Sequence, residues 1–254
     1  KLKIFIHAEG IEGEASVQDG DLKALIRLGS DTEENYYQIE LPLNITAFNA
    51  LSAEEIWPQA NALDLALEKL GTLKILREEA GILPNTFFPN PGSAPIFDDL
   101  GAIEVRVFGN PNLANIKAVM LGIKNTSATP KSTEVWFNEL RVAQFDNKGG
   151  WATNVNADAN FADFADVSFA GSASSIGFGS IDQRVNERSQ EDIKQYNIVT
   201  NISLGKLLPK KWGINLPVNF RPSGSFRDPK YDPQLQDVKL QDAKNTVSHE
   251  SRDY

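Results

Sequence analysis

Cysteine is absent from the 254 residues, which excludes a disulfide framework and any thiolate metal site. Histidine is almost absent too. His7 lies in the strand-like Lys1–Ala8 and His249 in a polar tail, and there are no others. A Ser-His-Asp triad or a His-rich metal centre has nothing to draw on. A lone strand histidine is far more often packed or solvated than catalytic. No P-loop, dinucleotide fingerprint, zincin motif, EF-hand or nucleophile elbow occurs, and Gly177-Phe-Gly179 lacks both the third glycine and a following helix. Asp158, Asp163 and Asp166 lack the spacing of a known Ca²⁺ loop and read as turn and lumen carboxylates. Glu134 and Glu139 differ by an odd number, so one strand would aim them to opposite sides, away from a shared glycosidase cleft. The chain is therefore not read as an enzyme, and no catalytic, cofactor-binding or metal-binding residue is assigned.

Long apolar runs are missing as well, and none approaches a membrane-spanning helix. That test does not reach barrel strands, which need only about 9–11 alternating residues. Basic charge is scarce in the first part. Through Asn147 there are 12 Lys plus Arg against 21 Asp plus Glu, a net of −9, and beyond it 13 against 13. An acidic excess argues against nucleic acid as a partner, and its confinement to one part marks a boundary near 147. The chain starts at Lys1 without Met or a leader-like pattern, so it is read as a mature chain or a section of a longer one.

What is present is punctuated alternation. Lys1–Ala8, Leu22–Leu28, Tyr36–Leu43, Ile103–Phe108, Ile116–Ile123 and Glu134–Val142 read as strands between Gly- and Asp-containing turns. Ser52-Ala-Glu-Glu55 has capping-box spacing. Leu63, Leu65 and Leu67 alternate like a strand, and Leu67–Ala80 reads as a short helix ending at Gly81. Gly81–Asp99 holds four prolines with Phe87, Phe88 and Phe97, a long loop anchored by aromatics. Residues 1–147 are expected to form a jelly-roll-like or immunoglobulin-like β-sandwich. Alternation places Val105, Val107, Val119, Leu121, Trp136 and Leu140 in its core.

Beyond Gly150 the pattern changes character. Trp151, Thr153, Val155, Ala157, Ala159 and Phe161 share one face of a strand, and Asn154, Asn156, Asp158 and Asn160 the other. Val167–Ala173 returns after the turn Asp163–Asp166, and Tyr196–Gly205 and Ile214–Arg221 repeat the device. Small polar residues opposite apolar ones, with aromatics near the ends, suit a strand between lipid and a wet lumen. They also suit a half-exposed strand of a soluble sandwich. Four strands cannot close a barrel, since about eight is the minimum, so under the first reading the chain is a fragment. The charged insertion Gly177–Asp192 carries Arg184, Glu187, Arg188 and Glu191, which read as a solvated loop or as a contact surface for a partner. Residues 222–254, Pro-punctuated and charged, read as a polar loop or mobile tail.

LGSDTEENYYQIELPL (28–43), EEIWP (54–58), EVWFNELRV (134–142), FDNKGGWA (145–152), GFGSIDQRVNERSQED (177–192), YNIVTNISLGKLLP (196–209) and DPKYDP (228–233) resemble the SprA family, also called Sov. That family is the outer-membrane translocon of type IX protein secretion in Bacteroidota, linked to gliding motility. The resemblance implies an all-β chain: a sandwich insertion (1–147), then antiparallel strands of a large transmembrane barrel (148–221). It implies that Asn154, Asn156, Asp158, Asn160, Asn201 and Asn219 face a lumen. Trp151, Val155, Ala157, Ala159, Phe161, Ile198, Ile202, Leu216 and Val218 would face lipid. Secreted proteins, accessory translocon subunits and outer-membrane lipid are the implied partners, with no cofactor. The competing reading is a soluble β-sandwich module binding carbohydrate or protein at the cell surface.

Overall fold

A computed structural model describes residues 1–144 and 147–246. His249 and the last residues of the polar C-terminal stretch lie outside the described residues. The chain divides into two units, Lys1–Phe145 with Asp232–Tyr254, and Asp146–Tyr231.

In the first unit, alternation sets the strands. β1 (Leu2–Gly10) buries Leu2, Ile4, Ile6 and Ala8, and β2 (Leu22–Gly29) buries Leu22, Ala24, Ile26 and Leu28. β3 (Tyr36–Pro42) sends Tyr37, Ile39 and Leu41 into the same core. α1 (Ala53–Ile56) starts at the capping box, where Ser52 Oγ accepts from the Glu55 N–H at 3.2 Å and Glu55 Oε2 from the Ser52 N–H at 3.1 Å. β4 (Ala62–Leu65) is followed by α2 (Glu68–Glu79), whose Leu70 and Leu73 enter the core at helical spacing. β5 (Glu104–Phe108), β6 (Ala118–Asn125) and β7 (Thr133–Val142) complete it. One sheet runs β4-β1-β7 and the other β5-β3-β2-β6, and a single cluster draws on both. This is a sandwich, and the chain is mainly β with antiparallel pairing. Full burial of each Leu or Ile contributes about 1.5–3 kcal/mol.

Val105 and Val107 lie in that core, but four other residues assigned to it do not. Val119 and Trp136 are each 52% exposed, and Leu121 and Leu140 are also exposed. Two causes act. β6 and β7 are edge strands with no loop over them, whereas the loop through Phe88 covers the edge strand β5. Trp136 also pairs with His7, whose ring lies 5.5 Å away, and its indole donates to Glu134 at 2.6 Å. The neighbouring Phe137 is the residue that packs on the core. Further along, two residues of β7 oppose Ile4, and Glu139 has φ 55°. This bulge reverses the alternation. The reversal applies to residues beyond the bulge, and at the bulge itself Glu139 is engaged by Arg141, while Glu134 is engaged by Trp136.

The second unit holds β8 (Ala152–Phe161), β9 (Ala165–Ser174), β10 (Glu191–Ser203), β11 (Pro217–Phe220) and β12 (Ser223–Pro229). They form one antiparallel sheet in the order β8-β9-β10, with β11 and β12 end to end along the far side of β10. Pro222 marks the break between them, and its carbonyl accepts from the Ile198 N–H at 2.9 Å. A proline is tolerated where a strand is interrupted.

β12 and the segment C-terminal to it correct the reading of 222–254 as a polar loop or tail. After β12 the chain rejoins the first unit, ahead of α3 (Leu240–Thr246). There the Asp237 carboxylate accepts from Lys74 Nζ at 2.8 Å and from the Tyr37 hydroxyl at 2.7 Å. The Lys74 and Asp237 side chains are 3% and 1% exposed. Burial pushes the Lys74 ammonium below its ordinary range, against the pull of Asp237, and pushes the Tyr37 phenol well above its own. Gly71 of α2 lets the Asp237 backbone approach, since a Cβ there would stand 2.9 Å from its carbonyl oxygen. Asp237→Ala should cost about 3–5 kcal/mol in chemical unfolding, because it strands a buried cation.

The outer face of the four-stranded sheet carries a second ionic group. Glu40 meets Arg106 at 2.9 Å and Lys124 at 3.2 Å, Lys23 meets Glu104 at 2.6 Å, and Arg106 also meets Glu104. Burial pushes the Glu40 and Glu104 carboxyls up, but these cations outweigh it and both ionise below the ordinary range. Such a carboxyl holds fewer protons folded than unfolded. Its contribution is full above the ordinary value of 4.5 and is lost as pH falls through the folded value. Glu40→Gln should flatten the loss of stability measured by unfolding below that pH.

Candidate functional site

The sheet of the second unit is the part whose residues form a pattern larger than a strand. Its turns are set locally. β8 and β9 are joined by three residues, with Ala162 at φ 49° and the Phe164 N–H bonded to the Phe161 carbonyl at 3.0 Å. The registers then fix which side chains share a face. Val155 opposes Gly171, Ala157 opposes Phe169 and Ala159 opposes Val167. Across the next pair, Gly171 opposes Tyr196, Phe169 opposes Ile198 and Ala165 opposes Ile202, and Ile202 opposes Val218. One face is thus apolar from strand to strand.

The other face is mostly polar, with Ala170 and Val199 the apolar residues between its amides and hydroxyls. Asn154 opposes Ser172, which opposes Gln195, which opposes Ser225. Asn160, Asp166, Asn201 and Asn219 fall in one line across the sheet. Within that line Asn160 donates to Asp166 and Asn219 to Asn201. A hollow of about 650 Å³ opens on this face, lined by Asn154, Asn156, Ser172, Gln195, Asn197 and Ser225 among others.

Aromatics lie over the glycines of the apolar face. A Cβ on Gly224 would stand 2.5 Å from the Tyr196 ring, and one on Gly171 would stand 2.9 Å from the Phe169 ring. This covers backbone that glycine would leave bare. The apolar face is otherwise open: Val155, Phe161, Phe220 and Phe226 are exposed at 50%, 57%, 62% and 63%. Contiguous exposed apolar surface on this scale marks contact with protein or membrane.

The sequence-assigned residues fall into place unevenly. Asn154, Asn156, Asp158, Asn160, Asn201 and Asn219 share the hollowed face by register. Val155, Ala157, Ala159, Phe161, Ile198, Ile202 and Val218 share the opposite one. Trp151 and Leu216 stand just outside β8 and β11, both exposed. Ser223 and Ser225 belong to the hollowed face but escape the sequence reading. Pro222 looks like the end of the strand pattern, although Ser-Gly-Ser-Phe continues the alternation beyond it.

Asp158 and Asp166 lie on separate rows and Asp163 pairs with Lys206 at 3.1 Å, so the three acidic residues are not brought together. The charged insertion is tied at its base by Gly177 N–H to Ser189 carbonyl at 2.8 Å. Its four named charges do not cluster. The Arg184 N–H donates to Glu187, Arg188 reaches Asn147 and Glu191 pairs with Arg227 at 3.6 Å.

No curated protein matches this chain. A family model described as motility related/secretion protein, SprA_N, matches residues 1–243, and the chain therefore belongs to the SprA_N family of motility-related and secretion proteins.

Proposed function

We propose that the second unit is a section of the wall of a large, protein-conducting β-barrel in the outer membrane, part of a type IX secretion translocon. The observation that carries this is the sorting of side chains across four strands. Asn, Ser and Asp line the hollowed face while Val, Ala, Ile and Phe occupy an open opposite face. A soluble sheet covers its apolar side with its own chain, whereas lipid leaves that side bare in the isolated section. The free edges of β8 and of β11 with β12 then join further strands of the parent protein, because hydrocarbon tolerates a sheet only when it closes. The lumen would pass secreted proteins, and accessory subunits would regulate it. A wall of short amides and hydroxyls offers weak, interchangeable contacts that release what they touch.

Cysteine substitution with a water-soluble thiol reagent tests the two faces in the parent protein, and the lack of native Cys in this section keeps its background low. Asn154, Asn156 and Asn201 should label and Val155, Ala157 and Ile198 should not. Equal labelling of both rows would favour a soluble module and remove the barrel reading. Ala157→Arg should destabilise the barrel by about 2–4 kcal/mol if that site lies near the bilayer midplane. For transport, single Asn→Ser changes at 154, 156 or 160 should leave secreted cargo nearly unchanged, since one hydrogen bond is worth about 0.5–1.5 kcal/mol. Replacing two of them with Phe should retain cargo in the periplasm. Loss of export from one Asn→Ser change, with assembly intact, would mean specific recognition and overturn the permissive wall.

A further inference from the structure

Among the described residues, four strands of the first unit lie at sheet edges, and three of them are closed to further pairing. β5 is capped by the long aromatic loop, where the Phe88 N–H bonds the Val107 carbonyl at 3.0 Å and the Val107 N–H bonds the Phe88 carbonyl at 2.8 Å. β4 has only four residues. β7 carries the bulge at Glu139, which disrupts a regular ladder. Short strands, covers and bulges are the usual guards of a sheet edge. β6 has none of them: Ala118–Ile123 is straight, apolar on both faces and free of proline.

The hydrogen-bond phase shows what β6 offers. The Thr126 N–H bonds the Asp21 carbonyl at 2.8 Å, continuing the register in which Asn125 opposes Leu22. Bonded and non-bonded pairs alternate in an antiparallel ladder. Even-numbered residues of β6 therefore bond β2, and Val119, Leu121 and Ile123 turn their N–H and C=O groups to the open side. Their side chains oppose Leu28, Ile26 and Ala24 of the core, yet stand 52%, 38% and 38% exposed. Charge singles out the same segment. Lys117 and Lys124 flank it, Lys124 half-exposed although it also meets Glu40 at 3.2 Å, whereas Arg106 and Lys131 are held by Glu40 and Asp21.

From these features we infer that β6 is a strand-addition site for an extended polypeptide segment with apolar side chains at alternate positions and carboxylates at its ends. The segment's backbone pairs with Val119, Leu121 and Ile123, its apolar residues cover theirs, and its end carboxylates meet Lys117 and Lys124. This stands apart from the reading of the second unit.

The probe is the peptide Asp-Thr-Val-Thr-Val-Thr-Val-Thr-Glu, added to the whole chain in detergent and read by amide hydrogen exchange. It should slow exchange at Val119, Leu121 and Ile123 by about tenfold, with little effect on the other edges. The same peptide with Pro at its central Val, or with Lys at both ends, should not. Leu121→Pro removes one outward N–H without touching the β2 ladder and should abolish the effect. Leu121→Lys, which leaves the backbone intact, should weaken it and serves if the proline variant misfolds. Unchanged exchange at the three amides, or equal protection by the proline peptide, would overturn the site. Protection that grows with protein concentration without peptide would assign the edge to a second copy and overturn this occupant.

Discussion

The Lys74–Asp237 pair determines what kind of object this chain is. It returns the polypeptide to the sandwich after an excursion through five strands, so both ends of the two-faced sheet lead into one folded body. Neither partner would be stable there alone, since a buried charge without its counterion costs several kcal/mol. Tyr37 and the Leu113 N–H complete the carboxylate's shell, at 2.7 and 3.3 Å. The sandwich therefore needs a segment that lies beyond the whole second unit in sequence.

The two units handle the same backbone requirement in opposite ways. Every buried N–H and C=O must find a partner. The sandwich meets this by ladder pairing within its sheets and by covering or bending their edges, with loop, bulge or brevity at all but one. The second sheet has neither a facing layer nor covered edges among the described residues, and β8 is exposed along its whole length. Its residues are those that such exposure requires on each side separately: amides and hydroxyls facing the hollow, aliphatics and rings on the reverse. Tyr196 over Gly224 and Phe169 over Gly171 show apolar cover built from within the sheet where no second layer exists to supply it.

Much of this is legible in the sequence because period two is written directly in side-chain type. The strands of the sandwich, the helix after Leu67 and the capping box at Ser52 all follow from local spacing. So do the two rows on β8, which need nothing beyond alternation. What sequence could not supply is everything set by partners. Val119 and Leu121 have the same alternation as Val105 and Val107, both pairs lie on edge strands, and only the loop through Phe88 over β5 separates exposed from buried. Trp136 loses its core place to Phe137 because its register partner is His7. Pro222 conceals β12, since a proline between two strand halves looks like the end of one.

The bulge at Glu139 shows why such errors are physical and not statistical. A single residue in the left-handed region inserts one position and reverses every face beyond it. Asn138 and Arg141, an odd number apart, thus fall opposite Phe5 and Lys3 on the same side of β1. The same residue also blunts β7 as an edge. β6, one strand earlier in the chain, keeps strict alternation and so keeps a continuous row of outward backbone groups. Regularity and availability for pairing are one property seen from two sides: the strand that sequence reads most easily is the one the fold leaves open.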